Sequence, residues 1–235
     1  MIRGQPGAAG SGMLESMNDE QESNLPQRAP DRNVSGYEAT LVDWHSSTMK
    51  DAALRHIYRP VRGAVLDVGC GPGILLATLA GENPELRLAG VDSDPETIRV
   101  AQERLGARAD LRLGDAGELV WEDLQFDVVT CVNSFHRYPQ PRRALAEMHR
   151  VLKLGGMLVI ADHWAPPVLR HVMNVLRVLQ DRGNEIMYGR REMIWMLGKE
   201  GFEQLTWTQE GSIGFVATAI VPNVVPGMME LETTA

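Results

Sequence analysis

Positive charge is scarce in this chain of 235 residues: 23 Lys and Arg stand against 31 Asp and Glu, for a net charge of −8, and lysine occurs only as Lys50, Lys153 and Lys199. A surface that neutralises phosphates is therefore not expected, which disfavours tRNA, rRNA or DNA as a substrate. Cysteine is almost missing as well. Cys70 sits in a glycine-rich stretch and Cys131 in an apolar run, so both read as packing residues of a reducing, cytoplasmic protein, with neither a disulfide nor a metal site expected. No run of about eighteen apolar residues is present to cross a membrane, and the N-terminus lacks the apolar core of a signal peptide. The length suits one domain with a buried core and leaves little room for a second.

What the chain does have is the stretch Val65 to Gly73, VLDVGCGPG. It opens as an apolar run suited to a strand buried on both faces of a parallel sheet. It closes on Gly69, Gly71 and Gly73, where a strand must turn sharply and backbone N–H groups could approach a ligand. Ile74, Leu75, Leu76, Ala77, Leu79 and Ala80 then read as a helix with its N-terminus aimed at that turn. A second apolar strand, Leu88 to Val91, stops at Asp92, nineteen residues beyond Gly73. A carboxylate there suits ribose hydroxyls, so an adenosine-type ligand is expected. A dinucleotide loop would carry its last glycine where Ile74 stands, and Asp67 would sit badly beside a pyrophosphate.

The arrangement resembles the first motif of the class I S-adenosylmethionine-dependent methyltransferases. GVDSD (Gly90 to Asp94), GDA (Gly114 to Ala116), FDVVTCVNSFHRY (Phe126 to Tyr138) and HRVLKLGGMLVIAD (His149 to Asp162) resemble later segments of that family in the same order. The resemblance covers about Val65 to Asp162 and is greatest for the small-molecule subgroup typified by quinone C-methyltransferases. It implies an α/β fold, a three-layer Rossmann-like sandwich with a seven-stranded, mostly parallel sheet and an antiparallel C-terminal hairpin. It also implies S-adenosylmethionine as cofactor, with S-adenosylhomocysteine as product. Asp67, Gly69 and Gly71 would hold the methionine portion, Asp92 and Ser93 the ribose, and Asp115 and Ala116 the adenine, with Asn133 and Tyr37 also touching the cofactor.

Residues 1–33 are rich in Gly, Pro, Ser, Gln and acids without a period, and read as a disordered leader. A helical segment, Val34 to Tyr58, would follow as a cover, with Tyr37 and Trp44 as its ligand-facing candidates. Asp94 and Pro95 mark the start of a helix that keeps Ile98, Ala101 and Leu105 on its apolar face. The third and fourth strands are expected at Asp110 to Leu113 and Phe126 to Val132. Ligands lie beyond the carboxyl ends of such strands, so Asn133 to Tyr138 should face the pocket, with His136 as a candidate general base and Tyr138 as a substrate contact. A helix from Pro139 to Leu152 should be closed by Gly155 and Gly156, with Arg142, Arg143 and Arg150 on its solvated face. The fifth strand, Met157 to Ala161, would bring Asp162, His163 and Trp164 to the same edge.

Pro166 and Pro167 open one helix, and Arg190 to Lys199 forms a second. Met173, Met187, Tyr188, Met193, Trp195 and Met196 could give an adaptable apolar wall, or serve the core. Phe202 to Gln209 and Phe215 to Val221 read as a hairpin. The domain is thus expected over 34–221, with an acceptor-binding insertion at about 163–201 and a flexible tail at 222–235. The resemblance implies methyl transfer to a small molecule, a planar or aromatic secondary metabolite, and the residues favour no nucleophile among O, N and C. His136, His163 and Asp162 are the candidates for accepting a proton; Trp44, Tyr138, Trp164 and Tyr188 are those for touching the acceptor. One alternative is a protein that binds S-adenosylmethionine without transferring methyl. Another, a nicotinamide oxidoreductase, lacks its Tyr-x-x-x-Lys pair. A homodimer through 165–195 or the N-terminal segment is open.

Overall fold

The computed structural model describes residues 48–57, 62–179 and 185–223, all within the unit Thr40–Ala235. The expected leader, Tyr37, Trp44 and nearly all of the expected tail lie outside the described residues. Seven strands form one sheet in the order β3-β2-β1-β4-β5-β7-β6. They are β1 (Ala64–Val68), β2 (Arg87–Asp92), β3 (Ala109–Leu113), β4 (Phe126–Val132), β5 (Leu152–His163), β6 (Glu203–Glu210) and β7 (Gly214–Ile220). The first five run parallel; β7 is antiparallel to both β5 and β6. Strand order reverses between β1 and β4, and the crevice beyond the strand ends there is where ligands of such sheets lie.

All five residues of β1 are buried, which is why the run is apolar without alternation. Its side chains nevertheless divide between two cores. Val65 joins Met49, Ala53, Leu75, Leu79, Ile98 and Leu105 on one face, supplied by α1 (residues 48–56), α2 (Ile74–Glu82) and α3 (Pro95–Leu105). Leu66 and Val68 join Leu145, Met148, Met193 and Leu197 on the other, from α4 (Pro141–Val151) and α6 (Arg190–Lys199). Two helical layers thus sandwich the sheet. Truncating the fully buried Leu66 to Ala would cost roughly 2–5 kcal/mol.

Local signals account for several boundaries. Asp94 caps α3 by accepting the Glu96 N–H at 3.0 Å, with Pro95 at the first helical position. Gly155 and Gly156 differ from their expected place: they lie inside β5, not at the end of α4, which stops at Val151. Leu152 pairs with Phe126 and Met157 with Val128, so residues 153–156 bulge out of the ladder. Gly155 takes φ +73° there, and its N–H reaches Val221 O at 2.9 Å. The methionine wall is mostly core. Met193, Met196 and Met187 are buried, while Trp195 faces solvent beneath the Arg142 guanidinium at 5.6 Å. Arg150 is more than a solvated residue, since it donates to Leu119 O at 2.9 Å and Trp121 O at 2.8 Å and clamps the chain before β4.

A remaining helix, α5 (Pro167–Leu179), carries Val168, Leu169, Val172, Val175 and Leu176 exposed along one stripe. Among the described residues, no helix is long and apolar enough to cross a membrane.

Candidate functional site

The turn after β1 is pinned to the end of β2. Gly69 N–H and Cys70 N–H both donate to Val91 O, at 2.8 and 3.0 Å, Gly71 N–H donates to Asp92 Oδ2 at 3.0 Å, and Gly73 N–H to Cys70 O at 3.1 Å. Pro72 has none to give. The expectation that these loop N–H groups face a ligand is therefore corrected for Gly69, Cys70, Gly71 and Gly73, whose N–H groups are used in holding the turn. Gly69 (φ +73°) packs so closely on Ser134 that a Cβ would overlap it, whereas a Cβ on Gly71 (φ +54°) would meet nothing within 4 Å. The first glycine serves packing between β1 and the loop after β4. The second leaves room on the crevice side.

A cavity of about 480 Å³ opens there, lined by Asp67, Gly69, Gly71, Asn133, Lys50 and Arg137 among others. Its walls offer acceptors and cations. Asp67 is 2% exposed, accepts the Thr130 hydroxyl at 2.7 Å, and its carboxyl is pushed up to about 7 by burial, with the Asp92 charge adding to the effect and the Thr130 hydrogen bond opposing it. Asn133 holds φ +54°, and its Oδ1 is buried without a hydrogen-bond partner. A zwitterion fits this wall: an ammonium against Asp67 and Asn133, a carboxylate toward Lys50 and Arg137. A second cavity of about 310 Å³ lies beyond β3, lined by Asp115, Ala116, Tyr138, Gln140 and Arg143 among others.

Asp92 closes the end of β2. Oδ2 accepts Gly71 N–H and Oδ1 accepts Asp94 N–H, each at 3.0 Å, and further lone pairs remain for a ligand hydroxyl. Ser93 beside it is exposed. Asp115 folds its own turn by accepting Gly117 N–H at 2.6 Å. Tyr138 is a strut: its hydroxyl donates to Val68 O at 3.0 Å, and burial holds its pKa well above the ordinary value. Tyr138 is also among the residues that line the second cavity.

At the carboxyl end of β5 and in the loop after β4 three predicted residues meet. Asp162 Oδ1 lies 2.8 Å from His136 Nδ1 and 3.1 Å from His163 Nδ1, and the two imidazoles are 5.0 Å apart and perpendicular. The carboxylate also accepts the backbone N–H groups of His136 (2.9 Å) and His163 (2.7 Å). Burial alone would raise the Asp162 pKa; the hydrogen bonds from His136 and His163 outweigh it and hold the carboxyl well below its ordinary range. Ile186 N–H donates to His136 O at 2.7 Å, which draws the segment before α6 over this edge. Tyr188 stacks edge-on against Phe135 at 5.4 Å, and burial raises its hydroxyl to about 12. Trp164 sits 6.3 Å from Trp207, which stacks on Phe215.

A family model described as a methyltransferase domain matches residues 66–160. The chain is 30% identical over 188 residues to the demethylmenaquinone methyltransferase of Staphylococcus aureus, a match covering 78% of this chain and 71% of that one. This chain belongs to the class I S-adenosylmethionine-dependent methyltransferases. The methyltransferase is also 36% identical over 124 residues to the uncharacterized methyltransferase YcgJ of Bacillus subtilis, covering 50% of this chain and about half (48%) of YcgJ. The crystal structure of YcgJ aligns with 76% of this chain and 99% of its own, with a TM-score of 0.61 at 22% identity. The fold is thus the Rossmann-like sandwich expected, and S-adenosylmethionine is the cofactor.

Of the residues singled out in the sequence, this methyltransferase brings Asp67, Gly69, Gly71 and Asn133 to one cavity, Asp115, Ala116 and Tyr138 to a second, and His136, Asp162 and His163 to one cluster. Lys50, Ser134, Arg137, Gln140 and Arg143 line the cavities without having been singled out. Arg137 carried a readable signal, since it stands beside His136 in the loop after β4. Lys50 carried none beyond the rarity of lysine.

Proposed function

We propose that this methyltransferase moves the methyl group of S-adenosylmethionine onto an O, N or activated C atom of a small planar or aromatic metabolite, in secondary metabolism and in the cytoplasm. The observation that carries this reading is the meeting of His136, Asp162 and His163 at the carboxyl edge of the sheet, near the half-buried Tyr188, whose ring packs on the core residue Phe135. The name of the demethylmenaquinone methyltransferase relative supports a ring-bearing acceptor.

The donor supplies a sulfonium that already leaves readily, so the protein's work is alignment and exclusion of water. Asp67 and Asn133 accept hydrogen bonds from the ammonium of the methionine portion, with Gly69 and Gly71 giving it room and Lys50 and Arg137 facing its carboxylate. Asp92 and Ser93 hold the ribose; Asp115 and Ala116 meet the adenine. With Asp162 anionic, His136 donates from Nδ1 and keeps Nε2 as an acceptor for the proton of the methylated group; His163 also donates from Nδ1 to that carboxylate and is the second candidate. Trp164, Tyr138 and Tyr188 flank the acceptor, and the cover residues Tyr37 and Trp44 are part of the same proposal. The domain is taken to run over 34–221, with 163–201 framing the acceptor. The exposed stripe on α5 is a surface on which two copies could pair, and sedimentation over a range of concentrations tests that.

The test is methyl transfer from isotope-labelled S-adenosylmethionine, with the full chain, to a panel of quinols, phenols, indoles and aryl amines alongside bulk tRNA. Label on at least one ring compound and none on tRNA is expected. Label on tRNA alone would overturn the acceptor class.

A further inference from the structure

We propose that His136, Asp162 and His163 form a binding site for a first-row divalent metal ion. No metal site was expected from the cysteines, and His136 stands 26 positions before Asp162 in the sequence. The fold joins them because β4 pairs with β5 up to its last residue, Val132 beside Ala161, and β5 continues through Asp162 and His163. Among the described residues, this is the one group of three His, Cys, Asp or Glu whose donor atoms all lie within 4.8 Å of one another.

The three side chains are already drawn together around one carboxylate oxygen. Both imidazole Nδ1 atoms converge on the same oxygen, Asp162 Oδ1, at 2.8 and 3.1 Å, although two hydrogen-bonding imidazoles could take one oxygen each. Adjacent ligands on an octahedral ion with bonds of about 2.1 Å stand about 3.0 Å apart, which matches both separations. The carboxylate is anchored by two backbone N–H groups, that of His136 on Oδ2 and that of His163 on Oδ1, the kind of outer support that orients metal ligands. Asp162 is 2% exposed, while the His136 and His163 side chains are 13% and 32% exposed, so the carboxylate is sealed and the imidazoles keep some open surface. Two imidazoles and one carboxylate, with positions left open, suit Mn²⁺, Fe²⁺, Co²⁺, Ni²⁺ or Zn²⁺ better than Mg²⁺ or Ca²⁺, which prefer oxygen.

This inference rests on the reading that the methyl acceptor docks at this edge. An acceptor hydroxyl joining the ion would release its proton to water more readily, as metal-bound water does. The ion would then replace an imidazole base, and acceptors with two neighbouring oxygens would be preferred as chelates.

The experiment is titration of the metal-stripped full chain with Co²⁺, read by visible absorption, and with Mn²⁺, Zn²⁺ and Mg²⁺ by calorimetry, with no donor or acceptor present. One Co²⁺ per chain with ligand-field bands is expected, and weaker Mg²⁺ binding. His163→Ala and His136→Ala should each weaken Co²⁺ binding at least about a hundredfold, because even residues that only support ligands contribute 10–100-fold. His171→Ala, on the exposed face of α5, should leave it unchanged. S-adenosylmethionine binding and thermal melting of the same variants report the fold. Parent protein that binds S-adenosylmethionine but no Co²⁺, or Co²⁺ binding that survives both histidine substitutions, overturns the metal site and leaves Asp162 as an orienting carboxylate. Failure of the parent to bind S-adenosylmethionine strikes the proposed function instead.

Discussion

Asp92 Oδ2 accepts the Gly71 N–H at 3.0 Å, so the carboxylate that ends β2 also closes the glycine turn that follows β1. One side chain thereby couples the local fold to the proposed ribose contact. Asp92→Ala should lose two hydrogen bonds to a charged acceptor in the complex, each worth about 1.5–3 kcal/mol, and weaken S-adenosylmethionine binding at least about a hundredfold. It should also lower unfolding stability by roughly 1–3 kcal/mol, because the Gly71 and Asp94 N–H groups lose their acceptor. Calorimetric titration and denaturant unfolding measure the two effects separately. Unchanged donor affinity would remove Asp92 from the cofactor site.

Asp67 predicts a pH dependence. Its carboxyl is raised to about 7 by burial in the ligand-free protein, and a ligand ammonium beside it would favour the ionised form. Donor affinity should therefore rise with pH, by about tenfold per unit below pH 7, and level off above it. For stability the sign is opposite. The folded carboxyl keeps its proton up to about 7 while the unfolded one loses it near 3.8, so the contribution of Asp67 is fully present below about pH 4 and is lost as pH rises through about 7. Asp67→Asn should flatten both profiles, and titrations from about pH 4 to about pH 8 would show whether it does.

Much of the frame was legible because its signals are local. The bounds of β4 at Phe126 and Val132, the Asp94 cap and the closing hairpin follow from apolar runs and cap chemistry a few residues long. The meeting of His136 with Asp162 was legible in outline, since adjacent parallel strands deliver the residues after them to one edge. What escaped was set by partners far along the chain. Gly69 and Cys70 N–H groups go to Val91, and the sequence marks the turn without showing where its donors point. Gly155 and Gly156 look like a helix stop because glycine serves caps and bulges alike, and only pairing with β4 decides between them. Met193 and Met196 could wall a pocket or fill a core; the packing of α6 on the sheet decides for the core.

Tyr138 and His136 should separate cleanly. The Tyr138 hydroxyl is tied to Val68 O and its ring packs edge-on against Phe135 at 5.7 Å. Tyr138→Phe leaves a buried carbonyl without its donor and should cost roughly 1–3 kcal/mol of stability, with turnover changed by no more than a few fold. His136→Ala removes a group at the proposed proton-transfer edge and should lower kcat by about 10²–10⁴. Steady-state kinetics with a competent acceptor, paired with melting curves, distinguish strut from reacting group. A large kcat loss in Tyr138→Phe would place that hydroxyl in the chemistry.

Gly69 and Gly71 provide the sharpest contrast, because both take a left-handed backbone and differ in what surrounds them. A methyl on Gly69 would be driven into the Ser134 side chain and within 2.9 Å of the Tyr138 hydroxyl, so Gly69→Ala should push the loop after β4 away from β1 and unfold or precipitate the protein. A methyl on Gly71 meets nothing within 4 Å and should cost only the backbone strain, about 1–2 kcal/mol. Gly71→Ala should therefore fold, yet place its methyl at the cavity that Asp67 and Asn133 line, and weaken S-adenosylmethionine binding by about tenfold or more, about 1.4 kcal/mol. Melting temperature and donor affinity read on the same two variants assign one glycine to packing and the other to the ligand. If Gly71→Ala bound the donor as the parent does, the space beside Gly71 would not be where the methionine portion lies.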